Sequence, residues 1–203
     1  FEELISLQIG MRKLKSRNRG TTQLIIKNDC RRHFIDALPF EMTSAQLRAV
    51  EDCLSDMKGS TPMNRLIQGD VGSGKTAVAA CLLYVAAKNG IQGAFMAPTE
   101  ILALQHYESL KKLMDFSQIR VEVITGSTTA KNKRLIKDRL KNGEIDIIVG
   151  THALVSDDVE FSNLGLVVTD EQHRFGVAQR GAAQDNIIQH AGQLRLTLRG
   201  LPG

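Results

Sequence analysis

The 203 residues are 42% hydrophobic and 24% charged, with a formal net charge of +4, which is a globular composition and excludes disordered and fibrous classes. The longest apolar run, over 77–87, is too short to span a bilayer, and Phe1-Glu2-Glu3 lacks the layout of a signal peptide. Cys30, Cys53 and Cys81 lie far apart without metal-ligand spacing, so neither a disulfide framework nor a zinc site is expected, and a reducing cytoplasm is the expected location. The mild basic excess permits a nucleic-acid partner, whereas 4% aromatic residues and no Trp exclude an extensive base-stacking surface.

Phe1, Leu4, Ile5, Ile9 and Met11 are spaced as on a helix over 1–14. The basic residues that follow, Arg12, Lys13, Lys15, Arg17 and Arg19, read as a solvated helix end, with a phosphate contact as the alternative. Leu38-Pro39-Phe40 marks a boundary, which makes residues 1–38 a helical linker. Thr43 and Gln46 have the spacing of a capping box and open a helix over 44–57. Strand and helix then alternate: strands over 65–68, 93–97, 121–124, 146–149 and 164–169, and helices over 75–89, 100–114 and 131–141. This order predicts an α/β fold of three layers, a mostly parallel sheet with helices on both faces.

Gly69-Asp70-Val71-Gly72-Ser73-Gly74-Lys75-Thr76 stands between a predicted strand and a predicted helix and matches a P-loop. Its glycines let successive N–H groups turn toward phosphate oxygens, and the helix end adds its dipole. Lys75 is expected to reach the β- and γ-phosphates, and the Thr76 hydroxyl to ligate Mg²⁺. Leu166-Val167-Val168-Thr169-Asp170-Glu171 is an apolar strand ending in two acids. Asp170 is the candidate Mg²⁺ carboxylate and Glu171 the candidate base for the attacking water. The reaction class is transfer of a γ-phosphoryl group to water, with the two sites expected at the ends of adjacent parallel strands.

Further blocks occur in order: the segment from Leu38 to Gln46, Ala97-Pro98-Thr99-Glu100-Ile101-Leu102-Ala103 with Gln105-His106, Thr125-Gly126-Ser127, Gly150-Thr151-His152-Ala153-Leu154 and Asp170-Glu171-Gln172-His173-Arg174-Phe175-Gly176. Together with the P-loop they resemble the first motor domain of the RecG family of superfamily-two ATP-dependent DNA helicases. The likeness extends over about residues 1–180, and Gln172 favours that family over the related Mfd translocases.

The resemblance implies a RecA-like ATP-binding domain over 39–180, behind a linker from a DNA-binding wedge domain. It implies that Phe40 packs on the adenine and Gln46 reads its edge. It places Pro98, Thr99, Glu100, Gly126, Ser127, Thr151 and His152 against a DNA backbone, with Thr99 a candidate helix cap. Gln172 and His173 would couple the nucleotide to the DNA, and Arg174 and Arg180 would face a second lobe. The activity implied is ATP hydrolysis driving movement on branched DNA in recombination and repair. Because a second RecA-like lobe supplies the arginine finger in such motors, these 203 residues alone are expected to bind nucleotide, hydrolyse it weakly or not at all, and leave DNA wound.

After Arg180 the pattern departs. Leu194, Leu196 and Leu198 alternate as in a strand, but the Thr-Ala-Thr block of the family is absent. Residues 181–203 are therefore expected as an atypical tail that leaves a sheet neighbour unpaired. The alternative functions are a P-loop kinase or GTPase without nucleic acid and a non-catalytic module. Asn132-Lys133-Arg134-Leu135 lacks the acid of a guanine-reading motif, and the intact Lys75, Thr76, Asp170 and Glu171 argue against lost chemistry.

Overall fold

Short apolar segments of four to eight residues are extended in the computed structural model, which describes residues 26–59, 63–70, 72–151, 154, 158–171 and 194–199. The strands are β1 (Asn64–Gln68), β2 (Gln92–Met96), β3 (Val121–Ile124), β4 (Ile147–Gly150), β5 (Leu164–Glu171) and β6 (Leu194–Arg199). They form one sheet in the order β1-β6-β5-β2-β4-β3, and every neighbouring pair is parallel. All six carboxyl ends therefore lie along one edge, where ligands of such sheets bind.

The helices are α1 (Arg31–Asp36), α2 (Ser44–Met57), α3 (Lys75–Lys88), α4 (Glu100–Met114) and α5 (Ala130–Lys141). Three of them begin at a threonine whose hydroxyl accepts an N–H of the first turn: Thr43 for α2, Thr99 for α4 and Thr129 for α5. At Thr43 the capping box is complete, since Gln46 Oε1 also accepts the Thr43 N–H at 2.8 Å.

Successive strand residues face opposite sides, and each side has its own core. Phe95, Ile147, Val149, Leu166, Val168, Leu196 and Leu198 pack with α1, α2, α3 and α4. Ala94, Met96, Ile148 and Val167 pack with Ile136 and Leu140 of α5, and with Ile145, Leu154 and Val159. α3 lies deepest, buried continuously from Ala77 to Ala86, as its apolar sequence requires.

Two features depart from expectation. Residues 26–38 are docked on the domain: Phe34 is fully buried beside Tyr84 and Phe116, and His33 Nδ1 lies 2.6 Å from the Tyr84 hydroxyl. Asn89 fixes the preceding chain, accepting the N–H groups of Lys27 and Asn28 and donating to Asn28 O and Val85 O. The sheet also continues past residue 180, because β6 fills the place expected to be open and pairs with β1 on one side and β5 on the other. The helix expected over 1–14 lies outside the described residues.

Among the described residues no helix is long and apolar enough to cross a membrane. The three cysteines are free thiols. Burial pushes the Cys53 thiol up to about 11 and that of Cys81 up to about 12.

Candidate functional site

The loop after β1 turns sharply into α3, and Gly72 and Gly74 take positive φ angles of 81° and 76° to make that turn. Gly74 is the position where no other residue serves. Its backbone is left-handed, and a Cβ there would collide with Nε2 of Gln46. No side chain caps the first turn of α3, so its N–H end faces the loop interior. Lys75 folds back into that interior. Its Nζ donates to Gly69 O and Asp70 O at 2.7 Å each, and lies 3.4 Å from Ser73 Oγ. The ammonium thus sits where a phosphate tail would meet it, held by carbonyls that an anion can replace. Thr76, next on the helix, is half-buried. Val71 lies outside the described residues.

Gln46 joins this loop, a contact the sequence did not suggest. Its Nε2 donates to Ser73 O at 2.8 Å while its Oε1 completes the capping box. Both ends of the amide are thereby occupied, and α2 braces the loop. Phe40, expected to pack on a base, is 45% exposed.

β1 and β5 are not neighbours, contrary to expectation; β6 runs between them. The ends are nevertheless level. Ile67 pairs with Leu198 and Leu198 with Asp170, while Gln68 pairs with Arg199 and Arg199 with Glu171. Two strand spacings put the start of the loop and the acid pair about 10 Å apart on the same edge. Asp170 is 13% exposed, and its Oδ2 lies 2.8 Å from Nε2 of His106 on α4. Sequence reading gave His106 no role; the contact spans 64 positions and carries no local signal.

The other half of the edge carries the remaining blocks. Pro98 and Thr99 follow β2, Gly126 and Ser127 follow β3, and Thr151 follows β4. Thr99 Oγ1 accepts the Leu102 N–H at 3.3 Å, which makes it the cap its sequence suggested. Glu100 Oε1 accepts the Ser127 N–H at 3.0 Å and lies so close to Gly126 that a Cβ there would strike it. Lys133 Nζ donates to Gly126 O at 2.9 Å. These contacts tie the loops after β2 and β3 into one surface. His152, Gln172, His173, Arg174 and Arg180 lie outside the described residues, as does the side chain of Glu171.

The donor set suits a hard cation. A hydroxyl at Thr76 and a carboxylate at Asp170 are oxygen ligands of the kind that hold Mg²⁺ together with phosphates. Among the described residues no cluster of three or more ligating side chains offers a protein-only cage.

The family model for DEAD/DEAH box helicases matches residues 43–198. The chain is 50% identical over 183 residues to the ATP-dependent DNA helicase RecG of Bacillus subtilis, covering 89% of this chain and 27% of that protein. It is 47% identical over 184 residues to the RecG of Thermotoga maritima, covering 90% and 24%. The chain thus spans about a quarter of the length of these curated relatives. Among solved structures, RecG bound to a three-way DNA junction superimposes with a TM-score of 0.79 at 40% identity, over 97% of this chain and 26% of that one. The UvsW helicase of bacteriophage T4 shares the fold at a TM-score of 0.61 and 20% identity, over 88% of this chain and 61% of that one.

Proposed function

The chain belongs to the DEAD/DEAH box helicase family, and from that premise we propose that it is the first motor lobe of a RecG-type DNA helicase, which hydrolyses ATP to move on branched DNA. The observation that carries this reading is the level edge: the P-loop after β1 and the acids ending β5 on one half, and three linked loops on the other.

The residues divide the work. Lys75 exchanges the carbonyls of Gly69 and Asp70 for the β- and γ-phosphates, and the Gly69–Gly74 backbone with the α3 N-terminus faces the rest of the tail. Phe40 packs on the adenine, and Gln46 turns from Ser73 to its edge, where an amide donates and accepts at once. Thr76 and Asp170 hold Mg²⁺, which when bound offsets the negative charge gathering on the phosphoryl oxygens. Glu171 takes a proton from the attacking water; the water oxygen bonds to the γ-phosphorus and the bridge to ADP breaks. The loops bearing Pro98, Thr99, Glu100, Gly126, Ser127, Thr151 and His152 lie along DNA phosphates, so binding is salt-sensitive and tolerant of sequence. Gln172 and His173 couple the two halves.

The lengths of the relatives support further parts: a wedge domain ahead of the linker and a second lobe supplying an arginine finger, worth ~10³–10⁵ in rate where such fingers act. A cytoplasmic location accords with the free, buried thiols.

The test is a titration of ATP–Mg²⁺ and GTP–Mg²⁺ into the protein and its Lys75→Ala variant, with and without forked DNA. Preference for ATP and its loss in the variant are expected. Preference for GTP, or binding indifferent to Lys75, overturns the assignment.

A further inference from the structure

His106 takes no part in the chemistry above, yet it touches the metal carboxylate. Its Nε2 stands 2.8 Å from Asp170 Oδ2, and the two side chains are only 12% and 13% exposed. The ring also packs on Phe95 of β2, with centroids 4.5 Å apart. An ionised carboxylate only accepts, so Nε2 carries the hydrogen. This bond engages Oδ2 and leaves Oδ1 as the oxygen to face a cation.

The ring belongs to α4, whose first turn is tied through Glu100 to the loop after β3. The carboxylate is thus oriented from a helix that begins on the other half of the edge. We infer that His106 is a positioning residue: it holds Asp170 in the orientation that receives Mg²⁺–nucleotide, and makes cation affinity depend on where α4 sits. The inference rests on the reading of Asp170 as the Mg²⁺ carboxylate. Partners that orient metal ligands commonly matter ten- to a hundredfold in metal affinity.

The variants separate donor from packing. His106→Phe keeps a ring against Phe95 without a donor, and His106→Gln keeps an N–H donor without the ring. A fluorescent ATP analogue is titrated into the full-length protein with Mg²⁺ and again with EDTA, and melting temperature identifies folded variants. His106→Leu replaces the Phe variant if that one does not fold. His106→Phe is expected to bind the analogue normally in EDTA but to lose about tenfold of the gain that Mg²⁺ gives, while His106→Gln keeps most of it. A full Mg²⁺ gain in His106→Phe overturns the inference, as does a Gln variant no better than Phe or an equal loss in EDTA. Lys75→Ala is the control. If it binds as wild type does, the nucleotide site itself is misassigned; if it fails while His106→Phe is normal, only the role of His106 falls.

Discussion

Lys75 and Gly74 show how one side chain and one missing side chain prepare the loop. The lysine closes the empty curve with its own carbonyls, which keeps an ammonium aimed inward without a ligand. Gly74 permits both the left-handed turn and the approach of Gln46. Gly74→Ala is expected to cost about 1–3 kcal/mol in backbone strain and to weaken nucleotide binding. Adding Gln46→Ala removes the collision but not the positive φ, so the double variant should recover only part of the loss; calorimetric titration and thermal melting read both effects. Glu171→Gln in the full-length protein is expected to keep ATP bound while slowing turnover on the order of 10²–10⁴, the usual contribution of a positioned base. Hydrolysis near the wild-type rate would remove Glu171 from that role.

The helices and strands differ in how openly the sequence announced them. α2, α4 and β3 have the expected bounds because Thr43 and Thr99 supply caps and turn residues punctuate the ends. α1 was missed for a physical reason. Its six residues contain one fully buried side chain, Phe34, and no side-chain cap. It exists because Tyr84 and Phe116 give that ring a place, and they come from α3 and from just after α4. Phe34→Ala should therefore cost about 3–5 kcal/mol, read by denaturant titration. Asn89→Ala should cost about 1–3 kcal/mol and raise hydrogen exchange at the Lys27 and Asn28 amides while leaving β-sheet amides protected. At the opposite edge of the sheet, Arg120 grips Asp146 with its backbone N–H, Nε and Nη2 at 2.7–2.9 Å. Burial works to raise the Asp146 carboxyl, but these bonds and the guanidinium charge outweigh it and hold the group below its ordinary value of 3.8. The stability from a lowered carboxyl is present above the unfolded value and disappears as pH falls through the folded one. Asp146→Asn should thus be less stable than wild type at pH 7 by about 1 kcal/mol, since Arg120 is half exposed, and the difference should vanish below pH 3.8. A gap that persists in acid would show that packing, not charge, is responsible.

β6 decides how the domain holds together. The alternating leucines announced a strand, but strand order is a long-range property, and nothing local told that residues 194–199 would enter between β1 and β5. The same limit hid the bond between His106 and Asp170, whereas the P-loop and the acid pair, each a contiguous run, were plain. Once β6 is in place, the edge that carries the nucleotide chemistry depends on it: the P-loop hangs from β1, the acids from β5, and only β6 sets them level. Leu196 and Leu198 are 0% and 1% exposed and pack in the larger core. Leu198→Ala should cost about 2–5 kcal/mol. Because Leu198 is also the register partner of both Ile67 and Asp170, the damage should reach function before the fold melts. Nucleotide affinity measured below the melting transition should fall in Leu198→Ala. A buried leucine away from the strand between the two sites, Leu110 of α4, provides the comparison. Leu110→Ala should lose similar stability while binding nucleotide more nearly as wild type does. Equal losses of affinity in the two variants would mean that global stability, and not the level set by β6, governs the site.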